Sequence, residues 1–243
     1  MLLPIDHIPF QGPDLDAIAQ AFAALGFTVS PPGAYTSPDD PLASWANRCV
    51  FLASGWFDLL HVPSAASEAP VKPGSCLFLT DDLRQTERRL GEMRRHPPYR
   101  LKRVWDERHA CETLELTAIR ERIAPLGLAV IQHAYPCPDA RDEWHPNTAV
   151  EVAGLIFGGA EPGPAASAAG DVLDLSGFDY WDAEAFAASF GGQAHPIAVR
   201  VCVTSLAAAR AALAPHLACV ESQGRLHVAP PVPLGCGFQF FEV

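Results

Sequence analysis

Hydrophobic and polar positions alternate along the start of the chain, where Ile5, Ile8 and Phe10 flank an Asp6-His7 pair. The period then changes. Leu15, Ile18, Phe22 and Leu25 recur at helical spacing, and Gly26 stands where a helix of that length ends. Asp14 precedes the first helical position, where a carboxylate accepts from the free N–H groups of the first turn. After a polar connection over residues 30–41, apolar runs at 47–52 and 56–62, split by Ser54-Gly55, predict two strands. Together these make a first βαβββ unit. Residues 63–73, rich in Ser, Ala and Pro, read as a linker.

The pattern restarts at residues 75–80 with a strand, followed by a helix from Leu83 to about Met93. Asp14 and Leu15 correspond to Asp82 and Leu83, and the difference between positions 14 and 82 is 68 residues. By that offset His7 falls on Ser75. Strands are expected at 100–108, 111–119 and 126–133, completing a second unit that neither copy could bury alone. Residues 134–147 are irregular and mark both a boundary and a candidate functional loop. Beyond them come a strand at 150–157, a Gly/Ala/Pro-rich run at 158–170 and a short helix at 182–190. A fourth unit has a strand at 197–203, a helix at 205–213 and strands at 224–228 and 237–242. The expected fold class is α+β, built from repeated βαβββ modules in two domains, residues 1–140 and 141–243, the second degenerate in its third unit.

Composition narrows the function classes. A formal net charge of −11 over 243 residues argues against a nucleic-acid or anionic-membrane surface. No apolar run approaches the roughly 20 residues that span a bilayer, and Met1 to Asp6 has no basic stretch leading into an apolar one. The seven cysteines are scattered, with no C-x-x-C pair, which suits a reducing cytoplasm better than a disulfide framework. Neither a G-x-G-x-x-G, a P-loop nor a G-x-S-x-G motif occurs, so dinucleotide, nucleotide and serine-hydrolase readings lack support. A small-molecule substrate or ligand is the expected partner.

Several stretches then carry a resemblance. IDHI followed by PDLDAIAQAFAALGFTV resembles the opening of vicinal-oxygen-chelate (VOC), or glyoxalase-like, proteins, whose first-strand His often ligates a metal. NRCVFLASGWFDLLHV resembles the family's strand pair. VIQHAYPCPDARDEWHPNTAVEVAGLIF resembles the segment joining its two halves, and GRLHVAPPVPLGCGFQFFEV its closing strands. The matches follow the family's order over most of the chain. They imply two glyoxalase-like domains, an open metal position for a substrate chelated through two oxygens, and a homodimer as one common assembly. The departures are specific: Asp58 stands for the expected Glu, Ala46 precedes Asn47 where relatives often carry His, Ser75 replaces a second His, and Gly154 offers no ligand.

The resemblance and the strand pattern together point to His7, Asp58 and His133 as metal ligands, for Fe, Mn, Zn or Ni. Asp58 lies mid-strand between Phe57 and Leu59, where a charge is costly unless paired or metal-bound, and alternation puts it on one face with Trp56 and Leu60. The bland alternatives are a hydrogen-bonded strand histidine and a carboxylate paired at a sheet edge. Gln132 and His145 are candidate catalytic polar groups. Arg48, Trp56, Trp144 and Asn147 are candidate substrate contacts, Arg48 through its planar fork. Two functions follow: a metal-dependent lyase, isomerase or dioxygenase, or a metal-free sequestering protein. In the second, Trp56, Trp144, Tyr135 and Phe57 would form a stacking pocket.

Overall fold

In the computed structural model, the structure describes residues 1–37, 40–62, 70–94, 99–104, 112–123, 126–133, 144–161, 164–191 and 196–243. Strand β1 (Ile5–Gly12) leads into helix α1 (Leu15–Ala24), whose first turn is closed by Asp14, Oδ1 accepting from the Ala17 N–H at 2.9 Å. The helix buries Ile18, Ala21 and Phe22, the face that its apolar spacing selects. Gly26 follows at φ +82°, where a Cβ would meet that of Ala212 at 2.8 Å, so the position needs both glycine's backbone freedom and its lack of a side chain. Strands β2 (Gly33–Ser37), β3 (Asp40–Phe51) and β4 (Trp56–His61) complete the unit. β2 lies inside the stretch expected to be a polar connection. It carries one buried apolar side chain, Tyr35, so it has no alternation to betray it, and it is held by pairing to β3 on one side and β6 on the other.

The second unit repeats the first: β5 (Ser75–Leu79), α2 (Leu83–Leu90), β6 (Tyr99–Val104), β7 (Glu112–Ile123) and β8 (Leu126–His133). Asp82 caps α2 by accepting from the Gln85 N–H at 2.8 Å, the same bond 68 residues on from Asp14. The eight strands close into a barrel in the order β1-β4-β3-β2-β6-β7-β8-β5. First and last strands of each unit pair in parallel, and β1 meets β5 antiparallel where the copies join. Closure leaves two kinds of side chain on every strand, lumen-facing and outward-facing.

Beyond the barrel, β9 (Ala149–Gly158), α3 (Pro164–Ala169), β10 (Phe178–Trp181), α4 (Ala183–Phe190), β11 (Ile197–Val203), α5 (Leu206–Ala212), β12 (Cys219–Ser222), β13 (Arg225–Val228) and β14 (Gly237–Glu242) follow. They form a six-stranded sheet, β10-β9-β11-β14-β13-β12. β11 to β14 reproduce the full βαβββ order with β11 and β14 parallel, whereas the third unit keeps only two parallel strands, β9 and β10. β10 and the fully exposed β12 were not legible as strands. Each is four residues long and sits at a sheet edge.

The two sheets share one core. Phe10 of β1, Phe22 of α1 and Phe57 of β4 pack with Phe238 of β14 at ring separations of 5.0–6.3 Å. All four side chains are fully buried, each contributing about 1.5–3 kcal/mol. Outward residues of β1 and β4 therefore anchor the barrel to the second sheet, and the alternate residues are left to line the lumen.

Candidate functional site

The lumen is a cavity of about 510 Å³. His7 from β1 and Asp58 from β4 lie on its wall, among apolar side chains that include Tyr35, Trp45, Leu77 and Leu116. In the parallel β1–β4 register His7 faces Trp56 and Pro9 faces Asp58, so His7 and Asp58 are two residue pairs apart on the same wall.

Asp6 is the hub at this end of the barrel. Its carboxylate accepts from His7 Nδ1 at 2.6 Å, from Trp56 Nε1 at 3.3 Å and from His133 Nε2, which lies 3.1 Å from both oxygens. Burial alone would push the carboxyl up. Hydrogen bonds from His133 and His7, with their positive charge when protonated, more than offset this and hold it below the usual carboxylate range. An ionised carboxylate only accepts, so His7 carries its proton on Nδ1 and Nε2 is its acceptor nitrogen. The imidazole also stacks on Trp56, with centroids 4.1 Å apart. Strict alternation would have put Asp6 on the outer face with Ile8. The β1–β5 register slips between Ile5 and His7, and that bulge brings Asp6 round to the histidines. No local sequence signal marks the slip, although the Asp6-His7 dipeptide was visible.

Asp58 is engaged separately. Its Oδ1 accepts from Asn47 Nδ2 at 2.9 Å and faces the Cys49 thiol at 3.6 Å. Asp58, Asn47 and Cys49 are all buried, and Asn47 Oδ1 has no partner.

The structure gathers only some of the expected site residues. His7 and His133 meet at Asp6, Trp56 stacks beside them, and Asp58 stands apart on Asn47. Gln132 instead bridges the start of α2, its Oε1 accepting from the Leu83 N–H and its Nε2 donating to the Asp81 carbonyl, both at 2.9 Å. His145 is a buried staple: Nδ1 accepts from the Thr28 N–H at 3.0 Å and Nε2 donates to the Phe51 carbonyl at 2.6 Å. Burial lowers its pKa, against the opposing effect of the Phe51 carbonyl. Asn147 donates to the Leu25 carbonyl at the end of α1 and accepts from the Ala149 N–H. Arg48 lies on the outer face of β3, paired with Asp16 of α1 at 3.0 Å. Trp144 is 74% exposed and does not line the lumen. Of the expected stacking aromatics, Phe57 faces the shared core and Tyr135 lies outside the described residues; Tyr35 and Trp45 line the cavity instead.

A family model described as a glyoxalase-like domain matches residues 5–173. The chain belongs to this glyoxalase-like family. Solved structures share the fold over the whole length of the chain. A hypothetical protein from Staphylococcus aureus matches at 13% identity and TM-score 0.61, covering 100% of both chains. A triple mutant of 4-hydroxymandelate synthase from Streptomyces coelicolor matches at 9% identity and TM-score 0.62, over 99% of this chain and 92% of that one. At these identities the likeness is one of fold. No protein of curated function matches the sequence.

The ligand set expected from the sequence, His7, Asp58 and His133, can be tested against the geometry. In this glyoxalase-like chain both imidazoles are turned onto the Asp6 carboxylate, and Asp58 is taken up by Asn47 and Cys49. Among the described residues no three His, Cys, Asp or Glu side chains are grouped to hold a metal ion. The donor set does not fit a three-ligand centre with an open position. What it does fit is an orienting carboxylate behind a histidine that faces a chamber.

Proposed function

We propose that the barrel takes a small, largely apolar molecule bearing a carbonyl or hydroxyl oxygen, and that His7, oriented by Asp6, moves a proton on it without a metal. The observation that carries this reading is the 2.6 Å Asp6–His7 contact at the wall of a lumen of about 510 Å³. A chamber of this size suits a small organic molecule. Nε2 is the basic nitrogen, and the buried Asp6 charge stabilises the imidazolium formed when it takes a proton. Asp58, two residue pairs along the wall, is the second group able to carry a proton on the same face. The reaction class is proton transfer at a carbon next to an oxygen-bearing centre, as in an isomerase or lyase.

A sequestering protein is the second reading, favoured by the apolar and aromatic lining. The two separate in one experiment. Small aromatic and aliphatic ketones and keto acids are screened by fluorescence quenching, and any that bind are followed by NMR in D₂O for exchange at the carbon next to the carbonyl. The enzyme reading expects exchange that falls about 10²–10⁴-fold in His7→Ala with binding retained. Binding without exchange in the wild type leaves the sequestering protein. Ala129→Trp, which fills the lumen, should abolish binding under either reading.

A further inference from the structure

Arg120 and Arg122 of β7 line the lumen on the side of His7 away from Asp6. His7 pairs with Leu77, Leu77 with Ala129 and Ala129 with Ala118, so these four residues form one row around the wall. Arg122 pairs with Gly127, two residues along β8 from Ala129, which puts its row about 7 Å from that of His7. Over the same interval β7 uses four residues to β8's two, and the register shift bulges it. Bulges at barrel rims re-aim side chains. Here the bulge sets Arg120 at the mouth, where its Nε–H donates to the Arg94 carbonyl at 2.8 Å.

Arg120 lines two cavities. One is the lumen, and the other is an open groove of about 810 Å³ on the outside of α2. That groove adds Arg84, Arg88 and Arg94, against Glu87 and Glu92, and Arg94 is paired with Glu87 at 2.7 Å. Arg120 and Arg122 thus line the lumen and Arg84, Arg88, Arg94 and Arg120 the adjoining groove, five of the seventeen basic residues of a chain whose net charge is −11. Such a concentration in a cleft attracts anions.

We infer that this rim is an anion subsite, so that the molecule in the lumen carries a carboxylate or a phosphate at the end facing Arg120 and Arg122, with its apolar body toward His7. The inference rests on the lumen being the binding chamber, as proposed above. Guanidinium groups bind either anion through paired N–H donors, and the 7 Å between rows suits a compact acid with one ring or a short chain.

The test uses the full chain and two fluorescent probes with the same ring system, the sulfonate 8-anilinonaphthalene-1-sulfonate and the neutral N-phenyl-1-naphthylamine. The sulfonate should bind about tenfold more tightly in low salt, with the advantage shrinking in about 0.5 M salt. The double variant Arg120→Gln with Arg122→Gln should remove that advantage and leave the neutral probe unchanged; Arg120→Lys with Arg122→Lys should retain part of it. Displacement by benzoate or by phenyl phosphate, against benzyl alcohol as control, separates the carboxylate from the phosphate. Equal affinity for the two probes, or a sulfonate preference that survives the double variant, overturns the subsite and leaves the lumen reading standing. Failure of both probes to bind overturns both.

Discussion

Asp6→Ala is the sharpest test of how the site is held. The substitution leaves three donors, His7 Nδ1, Trp56 Nε1 and His133 Nε2, without their common acceptor in a region where Asp6 is only 7% exposed. Removing one partner of a buried charged network costs about 3–5 kcal/mol, a large share of the 5–15 kcal/mol that holds a domain folded. With a urea dependence of about 2 kcal/mol per molar, the unfolding midpoint should fall by about 2 M at pH 7. Asp6→Asn keeps the volume and one acceptor and should lose roughly half as much. The carboxyl's pKa is held below its unfolded value of about 3.9, so its contribution is complete above that value and is lost as pH falls through it toward the lower folded one. The wild-type midpoint should therefore drop as pH falls below about 4, and the Asp6→Ala midpoint should drop less steeply there. A loss at pH 7 below about 0.5 M, with an unchanged acid limb, would refute Asp6 as the charged hub.

Other outcomes follow from the same contacts. Burial lowers the pKa of His145, and burial with the Arg225 charge lowers that of His227, so both stay neutral in the fold after the unfolded chain has begun to take up protons. Stability should hold above about pH 6.5 and decline as pH falls through it, in a window separate from that of Asp6, and His145→Gln should flatten the decline in urea midpoints. Gly154→Ala should cost about 3 kcal/mol or more and cut soluble yield, because at φ +148° a Cβ would overlap the Gly177 carbonyl oxygen; a change in melting temperature under about 2 °C would contradict this. Calorimetric titration with Mn²⁺ or Zn²⁺ should show no tight one-to-one uptake that depends on His7. Uptake lost in both His7→Ala and Asp58→Ala would restore a metal centre and overturn the metal-free reading.

Local rules explain most of what was legible. Asp14 and Asp82 cap equivalent helices because a carboxylate one residue before a helix accepts its first free N–H groups, a matter of three residues of chain. Alternation along β4 places Asp58 and Leu60 on the lumen and Phe57 in the core, because the strand period is two. His7 and Ser75, related by the repeat, both reach the cavity wall. Gln132, His145 and Asn147 stood in motif-like sequence, but Gln132, His145 and the Asn147 Nδ2 bond backbone groups 49, 94 and 122 residues away, or more, and such pairings leave no local mark.

The sequence by itself therefore determined the repeated βαβββ units, their caps, the irregularity of the third unit and the faces of the regular strands, all set by interactions within a few residues. Tertiary structure decided the rest. Closure of eight strands made the lumen, one register slip carried Asp6 to His7 and His133, another bulge brought Arg120 to the mouth, and Arg48 was turned outward to Asp16. Each depends on which distant strand pairs with which and in what register, and a shift of one residue there reverses the face of every side chain beyond it.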